Sequence, residues 1–505
     1  MGHKMQRSFF FSRNFLNKLS NIFWPISRHE LKKFMPMSFL MFSVLFNQNI
    51  LRILKDSIVI PEISAEVTSF AKVYCVTPAA TIFVVLYAKM INHLSFDKIY
   101  YYLLAFFVSF FVFFALFVYP NVDVFHMNPT YAKNLMDAYP HLKWYIALFA
   151  NWSYIIFYVL AELWPNIFYI LLFWQFANEI TTTEEAKRFY TLFSLFGNSS
   201  LIVVGLLMMN IASPNSFLKS YFSEVEDNVI LVQVCTVFML FFSLISAGLV
   251  KYIYKNILTD PAFYKKAKAE RFDKEKMSIL DSFKYIVRSK YLWLMLICSA
   301  AFGLTMNLVE AVWKDRIKEL YPTVNSYAEF NGLFVLWTGV AIMVMTIIGN
   351  NLMRNHSWFV AAVITPVIIM ITGTLFFILV VFDNEIINFF DVALMMSPLA
   401  MSVSLGAVQN VLSKGAKYSI WDTSREMLYI PLDDELKTKG KAAVDVISSK
   451  IGKSSSGLVQ TILFTIIPSA TYTSISPLLM IIFIFVSLIW IYAVHKVYHE
   501  YKKIV

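Results

Sequence analysis

The sequence predicts an all-α, polytopic membrane protein: twelve transmembrane helices in two six-helix bundles. Three features point there. Apolar residues make up 58% of the 505-residue chain, only 15% are charged, and mean hydropathy is +0.61. A soluble domain sits nearer half apolar and a quarter charged. The apolar residues also fall in runs of about 20, the length a bilayer crossing requires. The basic residues behind the net charge of +10 lie in the connections between those runs, which disfavours a nucleic-acid partner.

Taken in order, residues 1–33 are basic and lack a sustained apolar core ending in a cleavage site. They are expected as an N-terminal segment and not as a cleaved secretory signal. Spans follow at 34–58, 68–91, 99–119, 145–179, 187–211 and 228–254, giving a first bundle over 34–256. A basic linker, 257–284, leads to a second bundle over 285–498. Its spans are 287–312, 329–350, 357–382, 387–412, 443–468 and 473–496, with a short tail at 499–505. The fourth run is long enough for two passes, but the charge of the connections decides for one. With one pass, both termini and the even-numbered connections share a side. That side collects Lys32, Lys33, Lys187, Arg188, Arg354, the linker and the 413–441 connection. Lysine and arginine bias short loops to the cytoplasm, so both termini are expected there. Cys75, Cys235 and Cys298 are scattered through apolar segments, and no disulfide framework or metal site is expected.

The longest polar interruption in the second half runs from Ser413 to Gly457, with Lys414, Lys417, Arg425, Lys437, Lys439, Lys441, Lys450 and Lys453. It reads as a connection feeding basic groups into a pathway for a phosphorylated solute. The halves also look like weak repeats. Lys55-Asp56 near the end of the first span matches Lys314-Asp315 in the second half, and FGNSS at 196–200 matches IGKSSS at 451–456. Nearly one offset serves both matches. Parallel repeats of the major-facilitator type predict that pattern and place the solute site between the halves.

Charges inside spans are costly, about 2.5–3.5 kcal/mol each at the centre on insertion scales, and mark pathways. Glu162 has a long apolar run on each side, and Pro165 is expected to kink its helix and free backbone carbonyls. Arg52 and Lys55 share a helix face, although snorkelling to the interface explains them equally well. Glu310 precedes Lys314 by one turn, so a local pair is an equal alternative. Lys453 lies among small residues, where a backbone or a phosphate can approach closely. The Gly452-Lys453-Ser454 triplet is not a phosphate-binding loop, because Ile447 stands where that motif needs glycine. Asn151, Asn166, Gln175, Asn178, Asn198, Gln409 and Asn410 read first as interhelical hydrogen bonds. The many aromatic residues read as mostly lipid-facing or interfacial.

Several segments together carry a resemblance: NILRILKDSIV, AELW, FWQFANEIT, EAKRFY, VLSKGAKYSIWD, REMLYIPLDDELKTKGKAAVDVI and IGKS. From about residue 24 to 498 the chain resembles the nonmitochondrial ADP/ATP translocase (nucleotide transporter) family of rickettsiae, chlamydiae and plastids. The resemblance implies a major-facilitator-like antiporter in the cell (inner) membrane of a bacterium, exchanging external ATP for internal ADP. It implies that Lys55, Glu162, Glu310 and Lys453 are substrate-binding, to which Arg52 is added on helix-face grounds. Pro165 after AELW and Ser455-Ser456 after GKS depart from the family's pattern and leave the choice of nucleotide open. No cofactor, metal or catalytic residue is expected. The expected partners are ATP, ADP or related nucleotides and the lipid bilayer, with the monomer as the functional unit. The rival within transport is a proton-coupled or exchange importer of other nucleoside phosphates, such as GTP/GDP, CTP or UTP. An enzyme is disfavoured because no nucleophile–base or metal cluster is present.

Overall fold

The computed structural model describes residues 26–260, 289–382, 396–432 and 441–504. The expected linker at 257–284, the 383–386 connection, the start of the tenth expected span and residues 433–440 lie wholly or largely outside them. Among the described residues the first half contributes α1 (Leu31–Glu62), α2 (Ala65–His93), α3 (Phe96–Phe125), α4 (Trp152–Ile180), α5 (Thr183–Ala212) and α6 (Asp227–Asn256). The second contributes α7 (Lys290–Leu320), α8 (Val324–Asn355), α9 (Trp358–Val381), α10 (Pro398–Ala416), α11 (Lys441–Ile466) and α12 (Tyr472–Ile504). Ten of these are long and apolar enough to cross a membrane. The more polar α10 and α11 complete six in each half.

α1 lies at the heart of the first bundle and is buried along most of its length. A helix enclosed by protein gains by matching its polar groups to neighbours, and two buried asparagines of α1 do so. Asn47 Nδ2 donates to Ser243 Oγ on α6 at 2.8 Å, and Asn49 Nδ2 to Ser200 Oγ on α5 at 3.0 Å. The indole N–H of Trp164 on α4 donates to the Val44 carbonyl at 3.2 Å. On the rim, α2 turns Ile82, Val84 and Leu86 outward, and α12 turns out Ile481 and Phe485. Such apolar outer faces suit lipid. α4 crosses once. A short helix, Lys143–Ala150, ends at a break at Asn151, and Pro165 opens a wide π-helical segment, Pro165–Phe173. Asn166 Nδ2 donates to the Glu162 carbonyl there at 3.2 Å.

Three expectations are corrected. The polar stretch beginning at Ser413 does not start as a connection: α10 continues through a π turn, Lys417–Trp421, into Asp422–Met427. Its serines and glycine are small enough to pack. Ser419 Oγ returns a hydrogen bond to the Gly415 carbonyl at 2.7 Å, so the polarity is satisfied within the helix. Second, Asn151, Asn166 and Asn410 donate to carbonyls four residues back on their own chain, and Gln409 donates to Ser413 Oγ one turn on. Only Gln175 and Asn178 of that set show interhelical bonds, from Tyr87 at 2.6 Å and Tyr190 at 2.7 Å. Third, many aromatics are core. Trp164, Trp313, Trp490, Tyr158 and Tyr472 are fully enclosed.

The bundles meet along α5 and α8, and where α1, α2 and α7 approach one another and α11. Among the described residues, the hydrogen bonds joining the halves outside the charged centre lie at the end opposite the termini. Ser69 Oγ meets Gln460 Oε1 at 2.5 Å and Tyr472 Oη at 2.7 Å. Lys318 Nζ donates to the Ile63 carbonyl at 3.0 Å, and His141 Nδ1 lies 2.8 Å from the Thr465 carbonyl. At the end carrying the termini, Lys33–Glu185 at 2.7 Å, Arg188–Glu30 at 2.5 Å and Lys290–Glu500 at 2.8 Å each link helices of a single bundle. Arg188 holds the Glu30 carboxyl down at about 2, so that link stays charged across physiological pH.

Close packing has one sharp constraint in the second bundle. A Cβ on Gly406 of α10 would sit 2.1 Å from Trp313 Cδ1, and that indole is enclosed and donates to the Val403 carbonyl at 2.8 Å. The ring has no room to yield. Gly406→Ala is expected to cost about 1–3 kcal/mol by overpacking, read as a lowered melting midpoint of the detergent-purified protein.

Candidate functional site

Three helices converge on one line of charge. α1 supplies Arg52, Lys55 and Asp56, one turn apart on one face; α4 supplies Glu162; α7 supplies Glu310 and Lys314, again one turn apart. Lys55 Nζ lies 2.9 Å from Glu162 Oε1 and 2.8 Å from Asp56 Oδ1. The other oxygen of Asp56 lies 2.9 Å from Lys314 Nζ, across the boundary between the bundles. Lys314 also reaches Glu310 at 3.2 Å, and Glu310 stands 4.0 Å from Arg52 on α1. Three cations thus alternate with three carboxylates. Lys55 additionally lies over the Tyr158 ring, 4.5 Å from its centroid.

Burial sorts these groups into two kinds. Lys55 and Asp56 are each 5% exposed, so their charges are matched by one another and not by water. Pairing of this kind is what makes such burial tolerable. The side chains of Arg52, Glu162 and Glu310 keep 33%, 27% and 21% of their exposure although they lie well inside their helices. They border a polar space between the bundles. Among the described residues, the hydrogen bonds joining the halves outside this centre lie at the end opposite the termini.

The structure therefore brings together Arg52, Lys55, Glu162 and Glu310. The side chain of Lys453 lies outside the described residues. Its neighbour Gly452 is where α11 touches α7: a Cβ on Gly303 would come within 2.9 Å of the Gly452 Cα. Gly303 lies two turns before Glu310, about 10 Å along α7, so the backbone at 453 belongs to the same wall. What approaches closely at the small residues is thus another helix backbone.

Sequence reasoning missed Asp56 and Lys314 as members of the centre, although the repeated Lys-Asp pair had marked both positions. Asp315, the repeat counterpart of Asp56, has Glu66, Glu319 and Arg316 as electrostatic neighbours instead. Of two further lysines, Lys72 was missed, and Lys414 was marked only as one of the basic groups that the 413–457 stretch feeds into a pathway. Lys72 on α2 and Lys414 on α10 both lie within electrostatic reach of Glu310 and Lys314. Neither makes an ion pair among the described residues. Among the described residues no group of three or more His, Cys, Asp or Glu side chains is placed to hold a metal ion, and Cys75, Cys235 and Cys298 are free thiols. The arrangement can hold and release an anion with several charges, by trading carboxylate partners for ligand oxygens.

Comparison with known proteins points the same way. The sequence profile of a family described as TLC ATP/ADP transporter matches residues 11–501. The chain is 68% identical over 493 residues to a protein named ADP,ATP carrier protein 5 from Rickettsia bellii, covering 98% of this chain and 99% of that one. It is 66% identical over 493 residues to the protein of the same name from Rickettsia prowazekii, with the same coverage. Among solved structures, a bacterial homologue of the iron transporter ferroportin in an inward-facing state superposes with a TM-score of 0.59. The match spans 94% of this chain and 99% of that one at 13% identity. That likeness speaks to the fold alone.

Proposed function

The chain belongs to the TLC ATP/ADP transporter family, and from that membership we propose that it is a nucleotide antiporter of a bacterial membrane, exchanging external ATP for internal ADP. It is a multi-pass membrane transporter and not an enzyme. The observation that supports the reading best is the balanced line of charge at the bundle boundary, with two links, Asp56–Lys314 and Arg52–Glu310, that cross it. With the site empty, Glu162, Asp56 and Glu310 neutralise Lys55, Lys314 and Arg52. An arriving nucleotide offers phosphate oxygens to the same cations from the open side, and Lys453 is expected to join them. The carboxylates then exchange partners, the cross-boundary links loosen, and the halves rock so that the opposite side opens.

Low dielectric makes each partner exchange consequential, since charges removed from water interact more strongly than in it. With termini and basic connections on the cytoplasmic side, the open space faces the cytoplasm, and the Ser69–Gln460–Tyr472 cluster closes the outer face.

The test is uptake of labelled ATP by proteoliposomes loaded with ADP, competed by a panel of unlabelled nucleotides. ADP and ATP are expected to compete best. Lys55→Gln is expected to cut uptake at least roughly tenfold, the effect of one charge-assisted contact worth about 1.4 kcal/mol. Unchanged uptake in that variant would overturn the phosphate role of Lys55. Stronger competition by guanine, cytosine or uracil nucleotides would reassign the passenger.

A further inference from the structure

We propose that Lys72 and Lys414 are further substrate-contacting residues, which clasp the phosphate tail of the nucleotide from opposite bundles. The inference rests on the nucleotide reading above and deepens it. Arg52, Lys55 and Lys314 already face Glu310, Glu162 and Asp56 one for one. A nucleoside polyphosphate adds several negative charges at once. Retaining it in a low-dielectric space calls for cations not already matched, because an uncompensated buried charge costs several kcal/mol.

Lys414 is such a cation. It is only 8% exposed, and among the described residues its Nζ has no hydrogen-bond acceptor. Its Nζ lies over the Phe334 ring, 4.6 Å from the centroid, a partner that attracts the charge without accepting a strong hydrogen bond. That is weaker than a charged hydrogen bond to phosphate would be. One turn earlier on α10, Gln409 Oε1 and Asn410 Oδ1 are also buried without a donor. The same helix face thus offers a donor for phosphate and acceptors for ribose hydroxyl or base amino groups. Lys72 answers from α2 of the other half. It is partly buried, and its electrostatic neighbours are Lys314, Glu162, Glu310 and Lys55. Those of Lys414 are Arg52, Glu310, Lys314 and Asp56. The turn carrying Lys72, Ala71–Val76, packs against the α4 segment that carries Glu162, so the two lysines approach one line of charge from different bundles, and a ligand bridging them ties the bundles together.

The experiment measures calorimetric binding of AMP, ADP, ATP and inorganic tripolyphosphate to the purified full-length protein and to Lys72→Gln, Lys414→Gln, Lys414→Met and Lys414→Arg. Affinity of the unaltered protein is expected to rise with phosphate number. Lys72→Gln, Lys414→Gln and Lys414→Met are each expected to weaken ATP and tripolyphosphate by roughly tenfold or more, leave AMP within about threefold, and keep the melting midpoint. Lys414→Arg is expected to retain ATP. ATP and tripolyphosphate binding unchanged in the Gln and Met variants would overturn the inference while leaving the nucleotide reading intact. So would a lowered midpoint with equal losses for all four ligands, the signature of a structural role. Failure of the unaltered protein to bind any nucleotide would overturn both.

Discussion

Asp56→Asn is expected to unsettle the fold as well as stop transport. Asp56 is shared by two buried lysines, Lys55 at 2.8 Å and Lys314 at 2.9 Å, on different bundles. The amide keeps the volume and removes the charge. Lys55 retains Glu162 and Lys314 retains Glu310, so neither cation is abandoned, but the centre is left one positive charge in excess. Breaking a buried pair costs about 3–5 kcal/mol; with partners remaining, about 3 kcal/mol is expected. The readout is the melting midpoint and recovery of monodisperse protein in detergent, alongside nucleotide uptake. Asp56→Asn combined with Lys314→Met restores the balance. It is expected to recover most of the stability and none of the uptake, separating the structural from the transport role. An unchanged midpoint in Asp56→Asn would show that the link contributes little to holding the halves.

How far the sequence anticipated this centre follows from physical range. Glu162 was legible because long apolar runs flank it and no local partner competes. The fold class was legible for the same reason, since span length and loop charge are local properties. Asp56 was hidden by its neighbour: beside Lys55 it resembles a local pair, and its second partner, Lys314, is remote in sequence. Lys414 stood in a run of basic residues read as feeding a pathway, and nothing local sets it apart from the others in that run. Hydropathy fails there because α10 meets protein rather than lipid, and serine, glycine and lysine suffice to pack it. Trp164 and Trp313 were misjudged for a related reason. Each indole finds a backbone carbonyl on a neighbouring helix, at 3.2 and 2.8 Å, and that satisfies the polar edge that otherwise draws tryptophan to the interface. Composition reports what a residue prefers, whereas long-range contacts decide where the preference is met.

The second result concerns coupling. In the proposed mechanism, reorientation of the empty site means separating Asp56 from Lys314 and Glu310 from Arg52 with nothing to replace them. It also means breaking the bonds of Ser69 with Gln460 and Tyr472. Each neutral hydrogen bond is worth about 0.5–1.5 kcal/mol net, and the charged links more. In the proposed mechanism a bound nucleotide offsets the charged part by supplying oxygens to the lysines. A barrier difference of about 3 kcal/mol already slows the empty transition more than a hundredfold.

Efflux of labelled ADP from preloaded proteoliposomes, with and without ATP in the outside medium, reads this difference. External ATP is expected to accelerate efflux at least roughly tenfold, with no response to an imposed pH gradient. Equal efflux into nucleotide-free medium, or uptake that follows the pH gradient, would contradict the account that the passenger's phosphates replace the charge partners broken in transit.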